Sequence, residues 1–387
     1  MKIFSNPNRP HDHNPLNTSL PSYWQETVFR RPSDLIIIGA GLTGLCCAFH
    51  YLQQYPENTV TILEKGPYPS GASVKNAGFA CFGSAGELLA DMAHEDKNAV
   101  LKRVEKRIKG LEGLRNIVPD DAMDFREKGG FELFTDQEAY HRVFGHLSHL
   151  NASLARTTGT DTTFEPASIN GYQAILCRKE GVLHSGKLVK KLIQTVLELG
   201  ARLITGADVV SVTSGKVYLK NETTPLVTGN TIVATNGYTS SLFPDSKIKP
   251  ARGYVLVTQP LSKLQWRHSF HYYKGFVYFR NVGNRLLIGG ARHLDPITEN
   301  TSQDGINPSI KSWLMHFVNH ILKIEEGWRI DYEWTGIMGF GEKKDPLSAE
   351  IEKNVFILGG YSGMGVSMAF ESARELVSKI GNYHEPD

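Results

Sequence analysis

Three glycines and one carboxylate set the first chemical constraint in this 387-residue chain. Gly39, Gly41 and Gly44 stand in G-x-G-x-x-G spacing, and Glu64 follows 25 positions after Gly39. The set suits a dinucleotide. Gly39 permits a sharp turn, Gly41 removes the Cβ that would block a pyrophosphate, and Gly44 lets the next helix lie close to its strand. Glu64 stands where a carboxylate accepts both hydrogen bonds of a ribose diol. The elements that must position these groups are all legible in residues 34–65. Leu35, Ile36, Ile37 and Ile38 form an apolar run without alternation, as in a parallel strand covered on both faces. A helix over residues 42–53 aims its unpaired N–H groups at the phosphates, and residues 59–63 form a second strand ending on Glu64. The glycine spacing alone is a weak signal; strand, turn, helix, strand and terminal Glu in that order make it specific.

The logic recurs near the other end. Residues 354–380 read as a buried strand, a glycine turn from Gly359 to Gly365, and a helix carrying Val366, Phe370, Ala373, Leu376, Val377 and Ile380 at helical spacing. Residues 231–239 (TIVATNGYT) read as a strand entering a turn of small residues. Residues 71–83 (GASVKNAGFACFG) are either backbone packed against a flat ligand or a glycine-rich surface loop. Helical spacing predicts one or two helices over 87–116, and further helices over 141–156, 185–200 and 310–322. Strands are expected at 125–135, 171–177, 201–205 and 207–212, with a hairpin over 216–226. Residues 251–260, 276–281 and 285–290 form an antiparallel sheet. The length suits two domains. The expected division is an N-terminal extension (1–33), a discontinuous nucleotide domain (34–90, 170–245 and 331–387), and an interleaved substrate domain (91–169 and 246–330).

Composition narrows the partners. Lys and Arg number 42 against 40 Asp and Glu, which leaves no basis for nucleic-acid or anionic-membrane binding. The basic cluster at 102–109 reads as a solvated helix face. Cys46, Cys47, Cys81 and Cys177 form no C-x-x-C pair, consistent with reduced thiols and a cytoplasmic location. The first thirty residues lack an apolar run, so neither a signal peptide nor a membrane span is expected. The tract His11 to His13 reads as solvent-exposed histidine, and His146 with His149 lacks a third group to complete a metal site.

The order of these motifs resembles the FAD-dependent amine and amino-acid oxidoreductases of the D-amino-acid oxidase superfamily, nearest to the gamma-glutamylputrescine oxidase branch and to glycine and sarcosine oxidases. The resemblance runs from Ser22 onward. Its carriers are SYW at 22–24, GAGLTG with Glu64, GASVKNAG, ATNG, Arg252 with Gly253, RLLIGG, and the final GGYSGMG. It implies a Rossmann-like FAD domain of the glutathione-reductase type with an interleaved antiparallel-sheet substrate domain, an α/β plus α+β chain. It places the FAD pyrophosphate over Gly39, Gly41, Leu42 and Gly44, and the adenosine ribose on Glu64 beside Lys65. Ser73, Asn76, Ala77 and Gly78 would lie near the pyrophosphate and isoalloxazine. Val209 would meet adenine, and Thr235, Asn236 and Gly237 would line the cofactor. Gly360, Gly363, Met364, Gly365 and Val366 would bring the last helix's N-terminus to the flavin edge that becomes anionic on reduction.

Departures from the pattern sharpen it. Relatives with covalent flavin use a cysteine in the C-terminal half or a histidine after the second strand; here the last cysteine is Cys177 and Lys75 replaces that histidine, so FAD is expected to be noncovalent. Amino-acid-specific members carry an arginine before the Asp/Pro turn, whereas residues 336–341 contain none. Arg292 is the replacement anchor for a substrate carboxylate, or else a domain-interface ion pair. With no second dinucleotide motif, electrons come from the organic substrate: a hydride leaves the carbon beside a neutral amine, giving an imine that water hydrolyses. No side chain is assigned as base. Tyr254, His293, Phe340 and Tyr361 are the further substrate-face candidates. Lys274 is a candidate oxygen-activating lysine or a surface lysine. The implied partners are a small-molecule amine and molecular oxygen or another acceptor. A dehydrogenase passing electrons to a quinone or carrier protein, and a non-catalytic flavin-binding protein, are the rivals.

Overall fold

An apolar strand without alternation needs cover on both faces. In the computed structural model, which describes residues 21–381, Ser33–Ile38 lies in the middle of a parallel array. The order across it is Arg202–Thr205, Val60–Glu64, Ser33–Ile38, Leu226–Val233, Val355–Gly359. Ile38 stands opposite Leu63 on one side and Val233 on the other, so these strands end on a common edge where the first glycine turn begins. The helices Leu42–Gln54, Ser185–Glu198 and Gly365–Val377 cover one face. Leu45, Leu188, Leu192, Met368 and Ala373 share a core there with Leu35, Ile37 and Ile232. Ile36, Ile38, Val233 and Ile357 fill the other face with Val212 and Val217 from the hairpin Val209–Thr213 and Lys216–Leu219.

The second sheet runs Ile330–Phe340, Lys249–Thr258, Arg285–Gly290, Val277–Val282, Ser269–Tyr272, Gly130–Phe134, Tyr172–Cys177, Phe164–Ile169. It is antiparallel except where Ser269–Tyr272 pairs with Gly130–Phe134. One face carries Tyr254, Leu256, Phe270, Phe279 and Ile288, packed on Ile310, Leu314 and Phe317 of the helix Pro308–Phe317. By the two-residue alternation of strands, Gly253, Val255, Tyr278 and His271 turn the other way, toward the first sheet.

Several expected segments divide differently. The run 125–135 is two strands, Arg126–Glu127 and Gly130–Phe134, in two different sheets, broken where Gly129 takes φ +74°. The stretch 141–156 falls in two helices, Gln137–Phe144 and Leu147–Thr158. His146 sits between them, bonded through Nδ1 to the Arg142 carbonyl, while His149 meets Lys97 Nζ, so the two imidazoles are not a ligand pair. Sheet pairing assigns Tyr172–Cys177 and Ile330–Phe340 to the antiparallel sheet, although boundaries at 170 and 331 put them with the nucleotide domain. Leu114, Val118 and Phe125 pack instead in the core beneath the parallel sheet. The helix Lys97–Ile117 therefore serves both units. The tract His11 to His13, like most of the N-terminal extension, lies outside the described residues. No helix among the described residues is long and apolar enough to cross a membrane.

Candidate cofactor and substrate site

The C-terminal edge of the parallel sheet and the inner face of the antiparallel sheet enclose one cavity of about 1950 Å³. That exceeds the roughly 300–1,000 Å³ of ordinary small-molecule sites, leaving room for an extended ligand and a second molecule beside it. At its nucleotide end Gly39 has φ +106°, which L side chains rarely adopt, and a Cβ there would sit 3.0 Å from the Ala234 carbonyl oxygen. Gly44 does not line the cavity: a Cβ there would overlap the Gly39 carbonyl oxygen, so it sets the approach of helix to strand. Glu64 is held rigidly, Oε2 accepting from the Ala40 N–H and Oε1 from the Gly66 N–H, each at 3.1 Å. Gly41, Leu42, Lys65 and Val209 line the same end.

Side chains from distant segments lock this end. Ser73 Oγ accepts from the Leu42 N–H at 2.9 Å. Asn76 Oδ1 accepts from Ser185 Oγ and the Gly78 N–H, and its Nδ2 donates to the carbonyls of Ala72 and Ser73, so its side chain builds the loop and does not reach outward. Asn236, at φ +47°, accepts the Gly360 N–H at 2.9 Å and so ties the ATNG turn to the final glycine turn. Thr43 Oγ1 donates to Tyr361 Oη at 3.0 Å, joining the helix Leu42–Gln54 to the final glycine turn. The helix Gly365–Val377 has no side-chain cap, and Gly363, Met364, Gly365 and Val366 line the cavity at its N-terminus. Ala77 and Thr235 line it as well; Gly78, Gly237 and Gly360 stand behind the lining.

The substrate end takes residues from both sheets. Arg292, Phe340, Lys274, Tyr278, His271 and Met338 line it. The Arg292 guanidinium lies 4.6 Å over the Phe340 ring. Its Nη2 donates to Asn300 Oδ1 at 2.9 Å, while its Nε is buried without a partner. Among the described residues no carboxylate forms an ion pair with it, which disposes of the interface-ion-pair alternative; burial pushes the guanidinium down and Glu299 partly opposes this. The remaining candidates divide. Tyr254 does not reach the site: its ring is in the core on the far face of the sheet and its hydroxyl donates to Glu333 Oε2 at 2.6 Å. His293 stacks between Tyr273 and Phe276 behind the lining. Tyr361 lines the cavity but is buried, its hydroxyl taken by Thr43. Lys274 is exposed in a tight turn with φ +57°.

Tyr278 and His271 are lining residues that the sequence did not single out. Strand alternation carried the signal: with Phe279 and Phe270 in the core, their neighbours must face the cavity. At the mouth, Glu87 and Asp91 meet Lys344, and the deeply buried Arg107 reaches Glu87. Burial pushes the Glu87 carboxyl up, but Arg107 and Lys344 outweigh it and hold it below its ordinary range.

A glycine-turned βαβ unit, a ribose-ready carboxylate and a second helix N-terminus on one cavity define a dinucleotide-binding protein. The chain matches the FAD dependent oxidoreductase family, known as DAO, over residues 34–379 and belongs to it. FAD is therefore its cofactor, and the protein is a flavoenzyme of the oxidoreductase class. It is 24% identical over 385 residues to the probable oxidoreductase OrdL of Rhizobium meliloti (strain 1021), covering 90% of this chain and 85% of that one. The fold is similar to L-proline dehydrogenase from P. horikoshii (TM-score 0.71, 15% identity, 90% and 93% of the two chains). It is equally similar to glycine oxidase from Geobacillus kaustophilus (TM-score 0.71, 19% identity, 92% and 96%).

Proposed function

We propose that this flavoenzyme oxidises the C–N bond of a small amine that carries a carboxylate, such as an N-substituted amino acid, to an imine. The observation that carries the reading is Arg292, a half-buried guanidinium on the cavity wall with a buried, unpartnered Nε and no carboxylate partner among the described residues. A partly buried cation without a counter-charge is left incompletely compensated; a planar carboxylate supplies the charge and the acceptors that a guanidinium fork matches. Gly336, Met338 and Phe340 present no charge beside it. The similarity to proteins named glycine oxidase and L-proline dehydrogenase supports an amino-acid-like substrate.

Within this reading the cofactor's phosphates lie over the glycine turn of Gly39, Gly41 and Leu42, its anionic edge faces the N-terminus of the helix that begins at Gly365, and Glu64 holds the ribose. Bound FAD supplies the two-electron acceptor for a hydride. The protein excludes water, holds the substrate carboxylate on Arg292, itself stacked on Phe340, and keeps the nitrogen's neighbouring carbon against the cofactor. FAD is noncovalent: Lys75 is committed to Asp304, and Cys81, the cysteine in the lining, is a buried thiol pushed well up by burial. Oxygen is the proposed acceptor.

Anaerobic titration of the yellow holoprotein tests this. N-methylglycine, proline and iminodiacetate, tried against amines without a carboxylate, should bleach the flavin preferentially, and air should restore it with peroxide release. Bleaching without rapid recovery would mark a dehydrogenase. Bleaching indifferent to the carboxylate would remove Arg292 from the account.

A further inference from the structure

A hydride leaves only a neutral amine, yet aliphatic amines are protonated near neutrality, so something in the site must take a proton first. We propose that His271, backed by Glu180, is that proton acceptor. The inference rests on the amine-oxidising reading above.

His271 lies on Ser269–Tyr272, and alternation turns its imidazole into the cavity while Phe270 goes to the core. Its Nε2 meets Glu180 Oε1 at 2.5 Å, and Nδ1 forms no hydrogen bond with the described residues. Both side chains are buried, Glu180 2% and His271 7% exposed. Among the described residues the imidazole is the sole hydrogen-bond partner of the Glu180 carboxylate. A carboxylate bonded to the rear nitrogen orients the ring and stabilises the imidazolium that forms when the front nitrogen gains a proton, the arrangement used wherever a histidine acts as general base. In the step, the substrate N–H bond breaks, its electron pair stays on the substrate nitrogen, and the proton forms a new N–H bond at His271 Nδ1.

The groups facing the ring agree in sign. Burial lowers the tendency of His271 to hold a proton, but Glu180, Glu87 and Glu132 outweigh burial and raise it above the ordinary range. Arg107 and Lys344 pair with Glu87 at a further remove. Cys81 also approaches: its sulfur and ligand atoms of Glu180 and His271 lie within 4.8 Å of one another. A metal there would have to break the 2.5 Å hydrogen bond and ionise a thiol that burial and the nearby carboxylates of Glu180 and Glu87 keep protonated, so we assign the group to proton handling.

Two measurements on the holoprotein test this. Imidazole titration by NMR on histidine-labelled protein should put His271 above the ordinary range in wild type and about one pH unit or more lower in Glu180→Gln. Anaerobic bleaching by N-methylglycine, or whichever panel amine is fastest, should speed up with rising pH through that same midpoint. His271→Gln should lose this limb and bleach about 100-fold more slowly or worse, and Glu180→Gln should move the limb to lower pH. A His271→Gln profile that keeps the wild-type limb, or a Glu180→Gln limb that does not move, overturns the proposal while leaving the amine reading intact. Stoichiometric metal in the purified protein that His271→Gln abolishes overturns it as well. If no panel amine bleaches wild type, the amine reading fails and takes this one with it.

Discussion

The two ends of the cavity are built from different material. At the nucleotide end the ligand-facing surface is largely backbone: glycine turns, two helix N-termini, and one carboxylate clamped by two N–H groups. At the substrate end it is side chains from strands far apart in sequence, among them Arg292, Phe340, Tyr278 and His271. Backbone recognition depends on local spacing, because a turn and the helix that follows it are made by neighbouring residues. Side-chain recognition depends on register. Tyr254 stands opposite Gly290 and Thr335 across three strands, and moving the alternation by one residue would exchange Tyr254 for Val255 at the cavity wall.

The largest effect should come from attacking the backbone end. Gly44→Val would drive a branched side chain into the Gly39 carbonyl and Ile37, prising the first helix off its strand. We expect little soluble protein and no visible flavin absorbance in what is recovered. Gly44→Val protein that retains FAD at wild-type stoichiometry would mean that close helix–strand approach is dispensable here.

Next, the two anchors should separate cleanly. Glu64→Ala removes a charged acceptor at the nucleotide end, worth about 1.5–3 kcal/mol and so about 10–100-fold in FAD dissociation, measured by ultrafiltration or fluorescence recovery. Its preference among amines should not change once it is saturated with FAD. Arg292→Met should do the converse: FAD retention unchanged, binding of a carboxylate-bearing amine weakened by a similar ~10–100-fold, and amines without the carboxylate untouched. Crossed effects, with Glu64→Ala altering selectivity or Arg292→Met releasing FAD, would collapse the distinction between the two ends.

What can be read in the chain divides along the same line. Residues 34–65 declare the parallel unit because its chemistry and its architecture share one period: the glycines that face phosphate are the same glycines that allow the turn. The final helix is legible for the same reason. Arg292 is visible as an isolated cation after RLLIGG, but not its stacking on Phe340, 48 positions on, which needs the fold. Tyr254 misleads because residue type says nothing of the parity of its strand. The boundaries at 170 and 331 separate strands from their sheet because Tyr172–Cys177 and Ile330–Phe340 look alike in either sheet; partner strands decide membership, and although Phe164–Ile169 adjoins the first, the partners Gly130–Phe134 and Lys249–Thr258 are remote in sequence. Glu180 cannot be paired with His271 from sequence, since 91 residues separate them.

Glu132 tests whether the side-chain end is also where stability is given up. Glu132 is 4% exposed, stands beside His271 on the neighbouring strand and accepts the Gly86 N–H at 2.7 Å. Burial pushes its carboxyl up to about 7, against the Gly86 bond and His271, which lower it. A carboxyl whose folded value lies above its unfolded one stabilises the fold fully only at low pH. Between about 4.5 and 7 the unfolded chain ionises while the folded one keeps its proton, so stability falls through that window and then levels. The loss is on the order of 3 kcal/mol, because each tenfold difference in proton affinity between the folded and unfolded chain is worth about 1.4 kcal/mol. Glu132→Gln keeps an acceptor for Gly86 and has nothing to ionise, so its denaturation midpoint relative to wild type should rise between pH 5 and pH 7 and then hold constant. A difference that does not vary with pH would show that Glu132 is ionised in the folded protein. The cluster around His271 would then carry its charges without this cost, and the two ends of the cavity would differ in construction but not in stability.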